Sequence, residues 1–381
     1  MMKILIAGLS VRAMAASAVQ SGYPVIALDA FGDQDLKALA ESYSLHHDFH
    51  FLYSASALWS ASRKLVYDAV AYTSSLENHP VILRRIAGSR RIIGNQPEAM
   101  ASVRRWPTLF AGLKKAGFQV PETVFVGENR KIDRRRRWLV KPLLSGGGHA
   151  VGFLRRRRLP GRRFMLQEYI PGKPCSASFI ANGRESVVLG ITEQLIGTRQ
   201  FDSQGFRYCG NILPLPEAVH PGTRRVVLEQ VNRLAAFLTQ QYGLSGVNGI
   251  DFILNDHRLC LIEINPRYSA SMELVEQAYG LPVFHLHVQA VLDGRLPRFR
   301  LETHLKKGRF FGKAILFAGK DAVAPDTRGW QAKGIRDVPA SGEKLPKGGP
   351  ICTILANRPT YDDTFKELVR RAATLKKQIY G

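Results

Sequence analysis

The chain has 381 residues, 45% of them hydrophobic, which is more than one ordinary core holds and predicts two or three domains. Its 54 Lys and Arg stand against 31 Asp and Glu, a formal charge of +23 that points to anionic ligands or a solvated basic face. Cys175, Cys209, Cys260 and Cys352 are widely spread with no CxxC spacing, which excludes a disulfide framework and a thiolate metal cluster. No apolar run is long enough to span a membrane, and the chain opens on a strand without a separate signal segment, so a cytoplasmic protein is expected.

Lys3–Ala7 reads as an apolar strand followed by Gly8, Val11–Ser21 as an Ala-rich helix, and Val25–Leu28 as a second strand ending at Asp29. This is a βαβ unit. It lacks the dinucleotide fingerprint, because only Gly8 stands where three glycines are required. Arg12 at the helix start reads equally as an anion contact and as a surface cation. A helix from Asp33, a short strand within 43–49, mixed helix over 59–77 and a strand at Val81–Leu83 complete an open parallel α/β domain over residues 1–95. Glu98–Lys115 is helical but split by Pro107.

The arginine runs Arg134–Arg137, Arg155–Arg158 and Arg162–Arg163 hold most of the excess charge. They lack the interleaved aromatics of a single-strand binding groove, so a nucleic-acid role is disfavoured. Trp138–Val140 is a strand that delivers Lys141 at its end, where Pro142 stops ladder pairing. Gly146, Gly147 and Gly148 follow at once. Three residues without side chains let backbone N–H groups approach a phosphate, although no Walker A lysine follows them. A fixed cation and a glycine flap over one volume is a more specific signal than either alone. Phe164–Ile170 is a buried strand carrying Glu168 at its end, and its exposed backbone could hold the edge of an adenine ring. Asn182-Gly183 joins two further strands as a hairpin. Residues 208–216 form a loop or irregular strand.

Arg224–Tyr242 repeats Val227, Val231, Leu234 and Leu238 at helical spacing. Two short strands follow, Val247–Leu254 and Leu259–Ile264, joined by the polar turn Asn255–His257. Glu263 and Asn265, two apart on a strand, share a face, and the hairpin brings Asp251 beside them. Three converging oxygen ligands suit a hard cation such as Mg²⁺ with phosphates attached. His285 and His287, two apart on the next helix, make a poor metal pair. The remaining residues, 301–381, read as a β-rich segment with strands near 310–317 and 351–356 and a basic amphipathic helix over Tyr361–Tyr380.

Trp138-Leu-Val-Lys-Pro142, Ser145-Gly-Gly-Gly-His149, Leu166–Gly172, Gly249-Ile-Asp-Phe252 and Leu261–Arg267, in this order and spacing, resemble the ATP-grasp superfamily over residues 96–300. Residues 301–381 resemble the C-terminal part of biotin carboxylases. The resemblance implies an α/β and α+β fold: an N-terminal open parallel α/β (preATP-grasp) domain, a two-lobed ATP-grasp domain with a glycine-loop lid, and a small β-rich C-terminal segment. It implies ATP and Mg²⁺ as cofactors, with Mn²⁺ as a substitute. Lys141 and Gly146–Gly148 would meet the phosphates, while Glu168, Tyr169 and Ile170 would meet adenine. Asp251, Glu263 and Asn265 would hold the metal, and Arg267 would face the transferring phosphoryl group. The lysine usual early in the linker is missing, and Arg104 or Arg105 stands in its place. Glu193 is a candidate proton acceptor.

The implied reaction is carboxylate–amine ligation through an acyl phosphate, releasing ADP and phosphate, with small-molecule carboxylate and amine substrates. Gly8–Arg12 and Asp29–Asp33 look similar to a tyramine–glutamate ligase-like group found with one-carbon cofactor biosynthesis genes. The alternatives are biotin-carboxylase-like carboxylation and a non-catalytic nucleotide- or nucleic-acid-binding protein. A homodimer is compatible with any of these readings.

Overall fold

The computed structural model describes residues 2–125, 132, 133, 135–154, 161, 163–305 and 308–381. Arg134, the run Arg155–Arg158 and Arg162 lie outside the described residues. Among the described residues, no helix is long and apolar enough to cross a membrane.

Five parallel strands open the chain: β1 (Ile4–Ala7), β2 (Val25–Asp29), β3 (Glu41–Ser44), β4 (Ala69–Tyr72) and β5 (Arg91–Ile93), in the order β3-β2-β1-β4-β5. Both faces of this sheet are covered. Ile4 and Ile6 join one core, whereas Leu5 and Ala7 join another with Leu28 and Val70. That two-sided burial is why β1 and β4 are continuous apolar runs rather than alternating ones.

Two sequence expectations change here. The stretch 59–77, expected as mixed helix, contains β4, and Val81–Leu83, expected as a strand, is part of the helix Pro80–Ala87. Pro80 sits in the first turn, where its missing N–H costs nothing. Leu83, Ile86 and Ala87 are buried while Val81 is 60% exposed, a helical rather than an alternating pattern. Further on, Pro107 divides Pro97–Val103 from Trp106–Lys115, as its position requires.

A four-stranded antiparallel lobe follows, with β6 (Thr123–Phe125), β7 (Trp138–Pro142), β8 (Gly152–Phe153) and β9 (Phe164–Glu168) in the order β6-β9-β7-β8. The larger lobe is one eight-stranded sheet. It contains β10 (Lys173–Asn182), β11 (Ser186–Ile196), β12 (Tyr208–Leu213), β13 (Ser245–Asn255), β14 (Arg258–Asn265), β15 (Phe310–Phe317), β17 (Ile335–Arg336) and β19 (Pro350–Arg358). A small ribbon pairs β16 (Ala322–Val323) with β18 (Lys344–Leu345). Residues 208–213, left between loop and strand from sequence, form the strand through which β15 joins the sheet. The C-terminal residues therefore continue the large lobe's sheet, although they have a core of their own around Leu316, Trp330, Ile354 and Leu368.

The N-terminal domain, the large lobe and the C-terminal residues meet at a buried ionic clasp. Arg12 pairs with Glu273, and with Asp337 at 3.0 Å, while Lys313 reaches Glu273 at 2.6 Å. Asp35 accepts the backbone N–H groups of Asp337 and Val338. Arg12 is thus an interdomain contact.

Candidate active site

The hairpin β13–β14 turns at Asp256 and His257, which have φ of 45° and 62°. A two-residue turn with both φ positive matches the twist of the flanking strands and fixes their register. That register alone would set Asp251 against Ile262; an irregularity between Asp251 and Phe252 shifts the pairing by one residue, so Asp251 lies opposite Glu263 and Asn265 opposite Gly249. Asn265 donates an amide hydrogen to Asp251 Oδ2 at 2.9 Å. Gln194 donates to Asp251 Oδ1 at 3.0 Å. The residues Asp251, Ser176 and Thr192 align across three neighbouring strands, giving this sheet face a polar row. Burial, with the charge of Glu263 behind it, pushes the Asp251 carboxyl up to about 7.

Lys141 projects from β7 and donates to Gln167 Oε1 on the adjacent β9 at 3.0 Å. Burial pulls its ammonium down, against the opposing pull of Glu263 and Asp251. The small lobe thus presents a half-buried cation to the carboxylates of the large one. The glycine loop closes the same side. Tyr208 N–H donates to Gly147 O at 3.0 Å, and Gly148, with φ of +70°, lies so close to the next connection that an added Cβ would fall 1.8 Å from Phe206 O. Phe206 also packs against Phe153 and Tyr169, with Arg137 over both of the latter rings.

Arg267 donates to Glu77 Oε1 at 2.6 Å and to Asn265 Oδ1 at 3.2 Å. Burial works against the Arg267 charge, but Glu77, together with Glu263 and Asp251, raises its pKa and holds the guanidinium protonated. Arg104 donates to Ile264 O at 2.9 Å, stands 3.5 Å from Glu263 Oε1 and lies 3.9 Å from Glu77 Oε1. Arg105 instead donates to Ser102 on the outside. Of the two linker arginines, Arg104 is the one that faces the hairpin.

The structure brings together Lys141, Asp251, Glu263, Asn265 and Arg267. It does not bring Glu193 to this group. Gln194 faces Asp251, so its neighbour Glu193 points to the other side of β11, where Lys173 pairs with it at 3.3 Å. Glu168 is engaged by Arg136 at 3.0 Å and by the Glu122 N–H, and the Tyr169 N–H donates to Arg137 O. Ile170 lines a groove with Asn255, Arg258 and Cys260 on the outer edge of the hairpin. Sequence reasoning missed Gln194, Gln167 and Glu77. Neither glutamine stands in strand register with a predicted site residue, since Gln167 pairs with Leu139 and Thr123 and Gln194 with Asn211; their one signal was to sit beside Glu168 and Glu193 in the chain. Glu77 had none.

The donor set suits a hard cation. Two carboxylates and the Asn265 amide supply oxygens, and Asp251 and Glu263, opposite each other on the hairpin, set two acidic groups where a divalent ion would relieve their repulsion. Among the described residues, no group of three His, Cys, Asp or Glu side chains could hold a metal alone, so remaining ligands must come from a bound molecule or water.

An ATP-grasp domain family matches residues 107–271. An uncharacterized protein of Methanocaldococcus jannaschii is 24% identical over 377 residues, covering 93% of this chain and 88% of that protein. Biotin carboxylase from Campylobacter jejuni superposes with a TM-score of 0.72 at 14% identity, over 99% of this chain and 91% of that one. L-amino acid ligase from Bacillus licheniformis superposes with a TM-score of 0.69 at 15% identity, over 98% of both chains. The matched domain and the superpositions over nearly the whole length show that the chain has an ATP-grasp-type fold.

Proposed function

We propose that the protein is an ATP-dependent enzyme that transfers a phosphoryl group to a carboxyl oxygen, of bicarbonate or a carboxylic acid, and passes the mixed anhydride to a nucleophile. What supports this reading is that Lys141 feels the charges of Glu263 and Asp251, which stand opposite each other on the hairpin, and that the glycine loop is seated on the connection leading into β12. Phosphoryl transfer requires charge neutralisation and in-line placement rather than a covalent nucleophile on the protein. Lys141 would meet the phosphates, and Gly146–Gly148 would cover them and exclude water from the anhydride. Asp251, Glu263 and Asn265 would hold Mg²⁺, which when bound with the nucleotide neutralises phosphate charge. Arg267, fixed by Glu77, would face the carboxyl oxygen.

Within this class, carboxylation of the biotin-carboxylase kind has the broader support, because several of the structures alike in fold are biotin carboxylases or biotin carboxylase domains. Carboxylate–amine ligation is supported by the comparable likeness to an L-amino acid ligase. The narrower reading, glutamate joined to tyramine, rests on Gly8–Arg12 and Asp29–Asp33 alone. Arg12 is committed to Glu273 and Asp337, and Asp29 accepts the N–H groups of Val11, Phe31 and Gly32. Those motifs thus have structural work that accounts for them.

The test is product analysis. ATP and Mg²⁺ should yield ADP and phosphate, dependent on either bicarbonate or one carboxylic acid, and that dependence separates the two branches. Formation of AMP and pyrophosphate would overturn the proposal.

A further inference from the structure

The turn after β4 carries polar groups that the folded chain leaves unsatisfied. Glu77 and Asn78, in the turn Leu76–Asn78, are 1% and 7% exposed. Arg267 donates to Glu77 Oε1, while Glu77 Oε2 and both amide atoms of Asn78 have no hydrogen-bond partner among the described residues. Across from them, Arg104 uses only Nη1, on Ile264 O and toward Glu263. Its Nε and Nη2 are buried without a hydrogen bond, although Nη2 lies 3.9 Å from Glu77 Oε1. A buried polar atom left unpaired costs about 1–3 kcal/mol, more when charged. Several such atoms around one ion pair are therefore a cost that a ligand would remove.

Their place in the fold is also informative. The chain winds outward from β1 to β2 and β3, then crosses to β4 and β5. The reversal leaves a crevice at the carboxyl ends of β1 and β4, where open parallel sheets bind ligands. Glu77 and Asn78 stand at that end of β4, and Arg267 and Arg104 close the crevice from the hairpin and the linker.

The chemistry of the free atoms is specific. Nε and Nη2 form one edge of the guanidinium, two parallel donors that match a carboxylate. The free Glu77 oxygen is an anionic acceptor suited to an ammonium group, and the Asn78 amide offers a neutral donor and acceptor. We propose that this crevice binds a substrate bearing a carboxylate and an ammonium group a few atoms apart, an α-amino acid, with the carboxylate on Arg104 and the ammonium on Glu77. The assignment rests on the ATP-dependent reading above and supplies the substrate class for it.

The experiment uses the full chain, isothermal calorimetry and the proteinogenic amino acids singly, with Mg²⁺ and a non-hydrolysable ATP analogue present. At least one amino acid should bind saturably, and its decarboxylated and deaminated counterparts should bind at least tenfold more weakly. Asn78→Leu removes the unsatisfied amide while keeping the branched side-chain shape, and Glu77→Gln keeps an amide oxygen for Arg267. Asn78→Leu should fold, hold the ATP analogue within twofold of wild type and lose at least tenfold in amino-acid affinity, and Glu77→Gln, with folding checked by its thermal melt, should lose at least as much amino-acid affinity. Binding of the analogue without any amino acid would overturn the inference and leave the ATP reading standing. So would equal loss of the analogue in Asn78→Leu, which would assign these atoms to the nucleotide. Amino-acid binding without binding of the analogue would support the crevice and overturn the ATP reading.

Discussion

The Glu77 carboxylate and the Arg267 guanidinium are separated by 190 residues in the chain and by 2.6 Å in the fold. Arg267 continues to Asn265, and Asn265 to Asp251, so one line of hydrogen bonds joins the N-terminal sheet to the hairpin carboxylates. Glu77 is 1% exposed in its side chain and Arg267 12%, so neither charge can be left to water. Removing either partner alone, by Arg267→Leu or Glu77→Leu, should cost about 3–5 kcal/mol of unfolding free energy. The double variant should cost less than the sum. Urea denaturation measures all three, and strictly additive losses would show that the two residues act independently.

Asp251 links pH to metal binding. Its carboxyl is pushed up to about 7 by burial and by Glu263, above the roughly 3.9 of an unfolded chain. The folded state therefore holds the proton more tightly. Without metal, this group's contribution to stability is present at low pH, is lost as pH rises through about 7, and is level above that. A divalent ion needs the ionised form, so Mg²⁺-dependent nucleotide affinity should rise as pH rises toward about 7 and then plateau. Asp251→Asn should abolish that rise and raise the metal-free Tm at pH 8. A pH-independent Mg²⁺ response in the wild type would refute the assignment.

Gly148 and Gly146 make a matched pair. An added Cβ at Gly148 would fall 1.8 Å from Phe206 O at a φ of +70°, whereas at Gly146 it meets nothing within 4 Å. Gly148→Ala should keep the loop from seating on Phe206–Tyr208 and lower kcat by about tenfold or more, an effect of roughly 1.4 kcal/mol on the barrier. Gly146→Ala should stay within about twofold. Steady-state ADP release under the two substitutions decides this, and equal effects would remove the seated loop from the reaction.

His287 provides an acid limit. Its Nδ1 accepts from Val247 N–H at 2.8 Å and its Nε2 bonds Ile93 O at 3.0 Å, which requires the neutral ring. Burial lowers its pKa to about 4, below the roughly 6.5 of the unfolded chain. Stability from this group is full above about 6.5 and is lost as pH falls toward 4, amounting to roughly 2 kcal/mol by pH 5. His287→Gln should flatten the pH dependence of urea midpoints over that range by a similar amount. An unchanged slope would mean that other groups set it.

The clasp of Arg12, Glu273, Lys313 and Asp337 should behave as a unit. Glu273 is held well below the usual carboxylate range by Arg12 and Lys313, despite burial. Glu273→Gln should cost about 3–5 kcal/mol, because it leaves two buried cations undercompensated. The loss should appear as earlier release of the C-terminal residues in hydrogen exchange, and uniform acceleration across the chain would contradict a local clasp.

The sequence by itself determined what is periodic or local. The hairpin, the strand that carries Lys141, the glycine loop, the split at Pro107 and the helix Tyr361–Tyr380 follow from spacing, turn chemistry or a backbone restriction confined to a few residues, whereas the register shift that sets Asp251 opposite Glu263 and the pairing of Pro142 with Phe164 do not. Where two local signals competed, apolar content misled: Val81–Leu83 read as a strand until its helical burial was seen, and β4 was hidden inside an expected helix. Tertiary structure alone decided which linker arginine faces the carboxylates, that Gln194 rather than Glu193 reaches Asp251, and that Arg12 serves as a clasp. It alone placed Glu77 on Arg267. A lone buried ion has no periodicity and no motif, since its partner is chosen by the packing of distant segments and by the cost of leaving a charge without one.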